Sequence, residues 1–242
     1  MNTEAASVAP RSIWGIIGDV FFSPVQGLED FKKKPTWVIP LILCLILMAI
    51  ASGLPYKQNA QAQVDLLSTS STLPPQVLES IKTAAQNPSP VSNIIGGVVA
   101  FGVISLIGAL LAWMFGSFIF AQKVKYSHVL GVGLLTGLIS VVGRLLSSIL
   151  IIAKDSILVS LGPAALMPGK DFTSFVYSFL YFTDIFTIWG VIITGLGYAA
   201  IFGLSRGKGM TISIVVWLIG ALAMVSLQHM GLSLAGVKTS FF

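Results

Sequence analysis

The sequence predicts an all-α integral membrane protein in which five transmembrane helices form one bundle, and three observations carry that expectation. Of 242 residues, 55% are hydrophobic and only 10% charged, with a mean hydropathy of +0.91, whereas about a quarter of the residues in a soluble globular chain are charged. The apolar residues gather into runs long enough to cross a hydrocarbon core, which takes about 20 residues. Two of these runs, 175–204 and 210–234, are separated only by Ser205, Arg206, Gly207, Lys208 and Gly209. That connector is too short and too charged to be anything but a turn in water, so the pair reads as a transmembrane hairpin.

Residues 1–10 are small and polar with nothing to bury, which predicts disorder. From 13 to 22, Ile13, Trp14, Ile16, Ile17, Val20 and Phe21 recur on one helical face, in a helix too short to span. Ser23, Pro24 and Gln26 then signal a second helix, with Ser as N-cap, Pro at N1 and Gln closing a capping box. In it Val25, Leu28 and Phe31 share a face, and Glu29, Asp30 and the three lysines Lys32, Lys33 and Lys34 occupy the rest. Residues 1–37 thus form a cytoplasmic N-terminal segment with two readings. The helices lie in the headgroup layer with the three lysines toward anionic lipid, or they cap the bundle. Amphipathicity alone does not separate lipid contact from protein contact.

The membrane domain is expected at 38–234. Its first span, 38–54, has Trp37 as an interfacial anchor and Pro35 and Pro40 at its start. Residues 55–93 turn polar and form an extracytoplasmic loop, in which Pro74 and Pro75 open one short amphipathic helix. The second and third spans, 94–121 and 127–153, are joined by five residues and must form an antiparallel hairpin like the fourth and fifth; 235–242 is a short tail. Gly108 and Gly116 in the second span, and Gly133 and Gly137 in the third, are candidate helix-packing positions, because small residues let backbones approach. Gly133 and Gly137 also suit a homodimer seam, so a homo-oligomer stays open.

Basic residues set the orientation. The two five-residue turns carry Lys123 and Lys125, and Arg206 and Lys208, with no acid, and short loops are where the positive-inside rule applies. With Arg11 and Lys32, Lys33 and Lys34 on the same side, the N-terminus is expected in the cytoplasm and the C-terminus on the far side.

The net charge of +5 does not point to nucleic acid, because the basic residues sit at the ends of apolar runs and not on one solvated face. Neither a nucleophile elbow, a Walker lysine motif nor a Cys or His pair at ligand spacing is present in the sequence. The expectation is a non-enzymatic chain without cofactor or metal. Cys44, Gly195 and Gly197 read as packing within apolar runs, Trp113, Trp189 and Trp217 as apolar bulk, and His128 and His229 as interfacial side chains at opposite ends of the bundle.

Arg144 and Asp184 stand apart as ionisable groups inside the apolar runs. Counting helical rise from the run ends places both about 13 Å deep, where an unpaired charge costs at least about 2.5–3.5 kcal/mol. They are therefore a candidate buried ion pair, either locking the bundle or lining a path for a transported solute.

The opening stretch FFSPVQGLEDFKKKPTWVIPLIL resembles the start of the Ypt-interacting protein (YIP) domain in its bacterial form, with Phe-x-Pro, a basic turn, Pro-x-Trp and the first span. Tyr126 after a short basic turn, and the stretch IWGVIITGLGYAAIFGLSRGKGMTISIVVWLI, resemble it too. The resemblance covers residues 21–225 and implies five spans, a cytoplasmic N-terminus and a short far-side C-terminus in a bacterial inner membrane. The third span holds Ser140, Val141 and Val142 where relatives often carry a proline, and the long acidic region of eukaryotic members is missing. Rab binding is not carried over.

Two classes of function follow. One is a membrane-organising or adaptor component meeting the lipid bilayer, anionic lipids and a membrane protein partner. The other is a transporter, or the membrane subunit of one, moving a small solute or lipid past Arg144 and Asp184. Transport needs a polar midplane cavity built around broken helices, and the sequence offers mainly Ser, Thr and Gly at that depth, which favours the adaptor.

Overall fold

In the computed structural model, which describes residues 11–242, the chain folds as a sequence of helices; the disorder expected for residues 1–10 lies outside the described residues. Helix α1 (Ile13–Phe22) is capped by Ser12, whose hydroxyl accepts the Gly15 amide at 3.2 Å. Helix α2 (Pro24–Lys33) starts with Pro at N1, but Ser23 makes no side-chain cap bond. The capping box is therefore not formed; with ψ at 57° the Ser23 residue turns its amide back onto the Asp19 carbonyl at 2.7 Å. Gly27 allows the tight crossing, since a Cβ there would lie 2.7 Å from that of Asp19. Arg11 pairs with Asp19 and lies 3.8 Å from Asp30, which also takes Lys33 at 2.6 Å.

The first apolar run becomes α3 (Val38–Gly53), bent by 59° into α4 (Tyr56–Leu67). The polar connector thus holds two helices, α4 and α5 (Pro75–Gln86), where the sequence predicts one. Helix α4 is built from good helix formers, chiefly Ala and Gln, that present no sustained apolar stripe, so periodicity misses it. Helix α6 (Pro90–Met114) ends in a π-helical turn over Phe115–Ile119, and α7 (Tyr126–Lys154) follows it. The fourth run is not one continuous helix. It forms the short α8 (Phe175–Tyr181), breaks, and resumes as α9 (Ile185–Phe202), before α10 (Arg206–Leu234). Among the described residues four helices, α6, α7, α9 and α10, are long and apolar enough to cross a membrane, or five if the bent pair α3–α4 counts as one span.

Helix α7 is the axis of the bundle: half of its apolar window is buried, against 6% for α6. It packs on α3, α6 and α9, while α10 covers the outer side of α9. Contacts along α7 and α9 keep one antiparallel register. A Cβ on Gly197 would lie 2.5 Å from Val132, Thr136 and Thr194 share a hydroxyl hydrogen bond of 2.7 Å, a Cβ on Gly190 would lie 2.9 Å from the Ser140 hydroxyl, and Gly143 abuts Phe186. Residue numbers across the seam sum to about the same value, so the two helices run side by side for their full shared length.

The two short helices complete this core. Ile16 and Val20 of α1 and Leu28 and Phe31 of α2 are buried with Val129, Val132 and Leu135 of α7. Gly131 lets the α2–α3 link approach, since a Cβ there would come within 2.9 Å of the Thr36 carbonyl. This hairpin sits at the end of the bundle that holds the basic turns, the turn end. At the opposite, loop end, α4, α5, residues 155–174 and the C-terminal residues gather. There the Phe175 and Val176 amides bond the Ser240 and Phe241 carbonyls at 2.9 and 3.0 Å, and the Ser71 amide bonds the Gly236 carbonyl at 3.0 Å.

Candidate functional site

Asp184 does not lie inside a helix. Its carboxylate accepts the Thr187 amide at 2.7 Å and caps the N-terminus of α9, where the helix dipole favours a negative charge. The break in the fourth run falls at this cap. Gly162 of the loop lies against the Thr183–Asp184 backbone, and a Cβ there would be 2.8 Å from the Asp184 Cα, so the loop closes over the break.

The direct Arg144–Asp184 ion pair is not formed: among the described residues no carboxylate lies within 4.0 Å of the Arg144 guanidinium. The two residues are nevertheless level with each other along their helices. Arg144 is eighteen residues beyond Tyr126 and Asp184 eighteen before Phe202, about 27 Å of rise in each case. A core about 30 Å thick that began at Tyr126 and Phe202 would have both near its loop-end edge, where a charge costs far less than at the centre.

Arg144 and Asp184 face one cavity of about 500 Å³, together with Tyr181, Thr187, Ser140 and Ser147, under an apolar wall that includes Met48, Phe101 and Ile104. Tyr181, whose hydroxyl lies 3.4 Å from the Ile157 carbonyl, closes it from the loop side. Arg144 also lines a second cavity of about 780 Å³ between α4, α5 and the start of α6, where Asn59, Gln63, Asn87, Ser89 and Asn93 contribute amides and hydroxyls. Asn59, which donates to Asn93 at 2.9 Å, borders both cavities. A guanidinium at the junction of a polar chamber and an apolar one can hold an anion through paired N–H donors. Sequence reasoning found Arg144 and Asp184 but not Asn59 or Tyr181; Asn59 lies on the helix the periodicity did not reveal.

The other sequence-predicted positions are distributed as follows. Gly116 meets the Phe202 ring and is a close-packing position, whereas Gly108 has only an ordinary contact with Val216 at 3.9 Å. Gly133 lies near the Tyr198 hydroxyl, and Gly137 has open space beside it, so no helix of this chain packs there. Cys44 is buried and donates to the Leu134 carbonyl at 3.4 Å. Trp113 is more than bulk: its indole N–H bonds the Val124 carbonyl at 2.8 Å and fastens the α6–α7 turn. Lys32, Lys33 and Lys34 are exposed on and after α2, and so are Trp14, Phe22 and Val25.

A family model for the Yip1 domain matches residues 18–227. A relative in Bacillus subtilis (strain 168), "Membrane protein YknW", is 23% identical over 228 residues, which cover 93% of this chain and 92% of that protein. No solved structure matches this chain.

Proposed function

Because this chain belongs to the Yip1 family of multi-pass membrane proteins, we propose that it is a non-enzymatic membrane-organising or adaptor component that works through protein and lipid contacts. The observation that carries this reading is the two-sided α1–α2 hairpin. One side is cemented to the bundle by Ile16, Val20, Leu28 and Phe31. The other leaves Trp14 64% and Phe22 89% exposed, and the three lysines at the end of α2 are exposed as well. A rigidly held surface that combines exposed aromatics with cations suits an interfacial contact with anionic lipid or with an acidic membrane protein. On this reading the N-terminus and both basic turns face the cytoplasm, as the lysine and arginine distribution argues.

The test is co-purification from native membranes in mild detergent, comparing the unmodified chain with a variant carrying Trp14→Ser and Phe22→Ser. A set of proteins or lipids lost specifically with the variant supports the reading. An unchanged set, with the variant as stable as the parent, overturns this surface as the working face.

The break between α8 and α9 beside the Arg144 cavity favours a second reading, transport of a small solute or lipid, since discontinuous helices build such sites. Proteoliposome uptake that vanishes with Arg144→Gln and not with Trp14→Ser would favour it over the adaptor.

A further inference from the structure

We propose that the groove along α7 that ends at Arg144 holds one anionic phospholipid of the loop-end leaflet, with its phosphate on the Arg144 guanidinium and an acyl chain lying over Gly137. The inference rests on the reading that this chain works through lipid contacts, and it gives that reading a specific ligand site. Three observations point to an amphiphile. Gly137 has no atom within 4 Å of where a Cβ would stand, and Ser140 is exposed, although both lie in the middle of the most buried helix. Helices α6 and α9 flank this stretch without forming a packed pair, and α10, which packs on both, meets α6 where Gly108 faces Val216, so the gap over Gly137 and Ser140 is bordered by these three helices and filled by none of them. At the loop end of the uncovered stretch, Arg144 joins the polar chamber to the apolar cavity.

Each part of a phospholipid then has a counterpart. The phosphate finds a guanidinium without a carboxylate within 4.0 Å among the described residues, placed at headgroup depth. The polar head finds the amide-lined chamber of Asn59, Gln63 and Asn93, and the chain finds Phe101 and Ile104. A free phosphate would leave the apolar cavity unused. A second copy of this chain fits poorly, because a two-fold axis along the membrane normal keeps depth and brings two Arg144 guanidinium groups to the same level.

The experiment is native mass spectrometry of the full chain released from nanodiscs of mixed phosphatidylcholine and phosphatidylglycerol. One phosphatidylglycerol should be retained in preference to phosphatidylcholine. Arg144→Gln should lower that retention about tenfold or more, as expected for a lost charge-assisted contact, and Arg144→Lys should lower it less. Gly137→Phe, which fills open space and leaves the charge intact, should also expel the lipid.

Equal retention of the two lipids by the unmodified chain overturns the proposal without needing any variant. Retention undiminished in Arg144→Gln overturns it too, as does thermal stabilisation by glycerol phosphate equal to that by phosphatidylglycerol. A dimer that disappears in Gly137→Phe, with no lipid retained, would assign the groove to a second copy instead. Replacing Lys32, Lys33 and Lys34 by Gln should leave the bound lipid in place. Loss of the lipid in that variant but not in Arg144→Gln would move lipid binding to α1–α2, sinking this site while sparing the proposed function.

Discussion

Capping, and not pairing, accounts for the Asp184 carboxylate: it bonds the Thr187 amide, and an asparagine can do the same without a charge. Asp184→Asn is therefore expected to leave thermal stability in detergent within about 0.5 kcal/mol, and Asp184→Ala to cost about 1 kcal/mol. A loss of several kcal/mol with Asn, or strong non-additivity with Arg144→Leu, would bring the ion pair back. Glycine shows the same dependence on surroundings. Gly143 abuts Phe186, whereas Gly137 has open space. Gly143→Ala should thus cost about 1–3 kcal/mol by overpacking, while Gly137→Ala should be neutral or stabilising by up to about 1 kcal/mol from helix propensity; calorimetry of the two variants in one detergent separates them. The glycine spacing is legible in the sequence, but which glycines carry a neighbour is not, because i and i+4 on one helix say nothing about the helix opposite.

For the α1–α2 hairpin, the apolar residues that share a face in the sequence divide their work. Leu28 and Phe31 are buried in the core, and Val25 on the same face is exposed. Phe31→Ala is expected to cost about 3–5 kcal/mol, read as a fall in thermal stability of the whole chain. Gln at Lys32, Lys33 and Lys34 should change it by no more than about 0.5 kcal/mol each. If Phe31→Ala left stability unchanged, the hairpin would be an accessory lying on the lipid and not part of the bundle. The start of α2 was readable from Pro24 at N1, although Ser23 does not cap it, whereas the break before α9 was not. Asp184 sits within a continuous apolar run, and only the loop closing over it at Gly162 makes room for a cap.

At the scale of the molecule, the orientation proposed from the distribution of basic residues can be tested without disturbing the fold. A reporter active only in the cytoplasm should be active when fused after Lys125 or Lys208, and silent when fused within residues 76–86 or after Phe242. The reverse pattern would invert every assignment of leaflet made above, including that of the lipid at Arg144. The loop-end assembly bears on the second fusion site, since Ser240 and Phe241 are hydrogen-bonded to the start of α8; a linker after Phe242 keeps that contact.

The membrane-spanning character, the two hairpins with short basic connections and the amphipathic start were determined by the sequence alone, although Arg206 to Gly209, expected in a turn, form the first turn of α10. Long apolar runs have no other way to satisfy their backbone, and short charged connectors have no other place than water. The tertiary structure decided that α7 is the axis, that α9 starts at Asp184, that Gly143 is packed and Gly137 open, and that Arg144 stands between a polar and an apolar cavity. Each of these depends on which helix faces which, and a repeat of small and apolar residues specifies that a face is suited to close approach without specifying what approaches it.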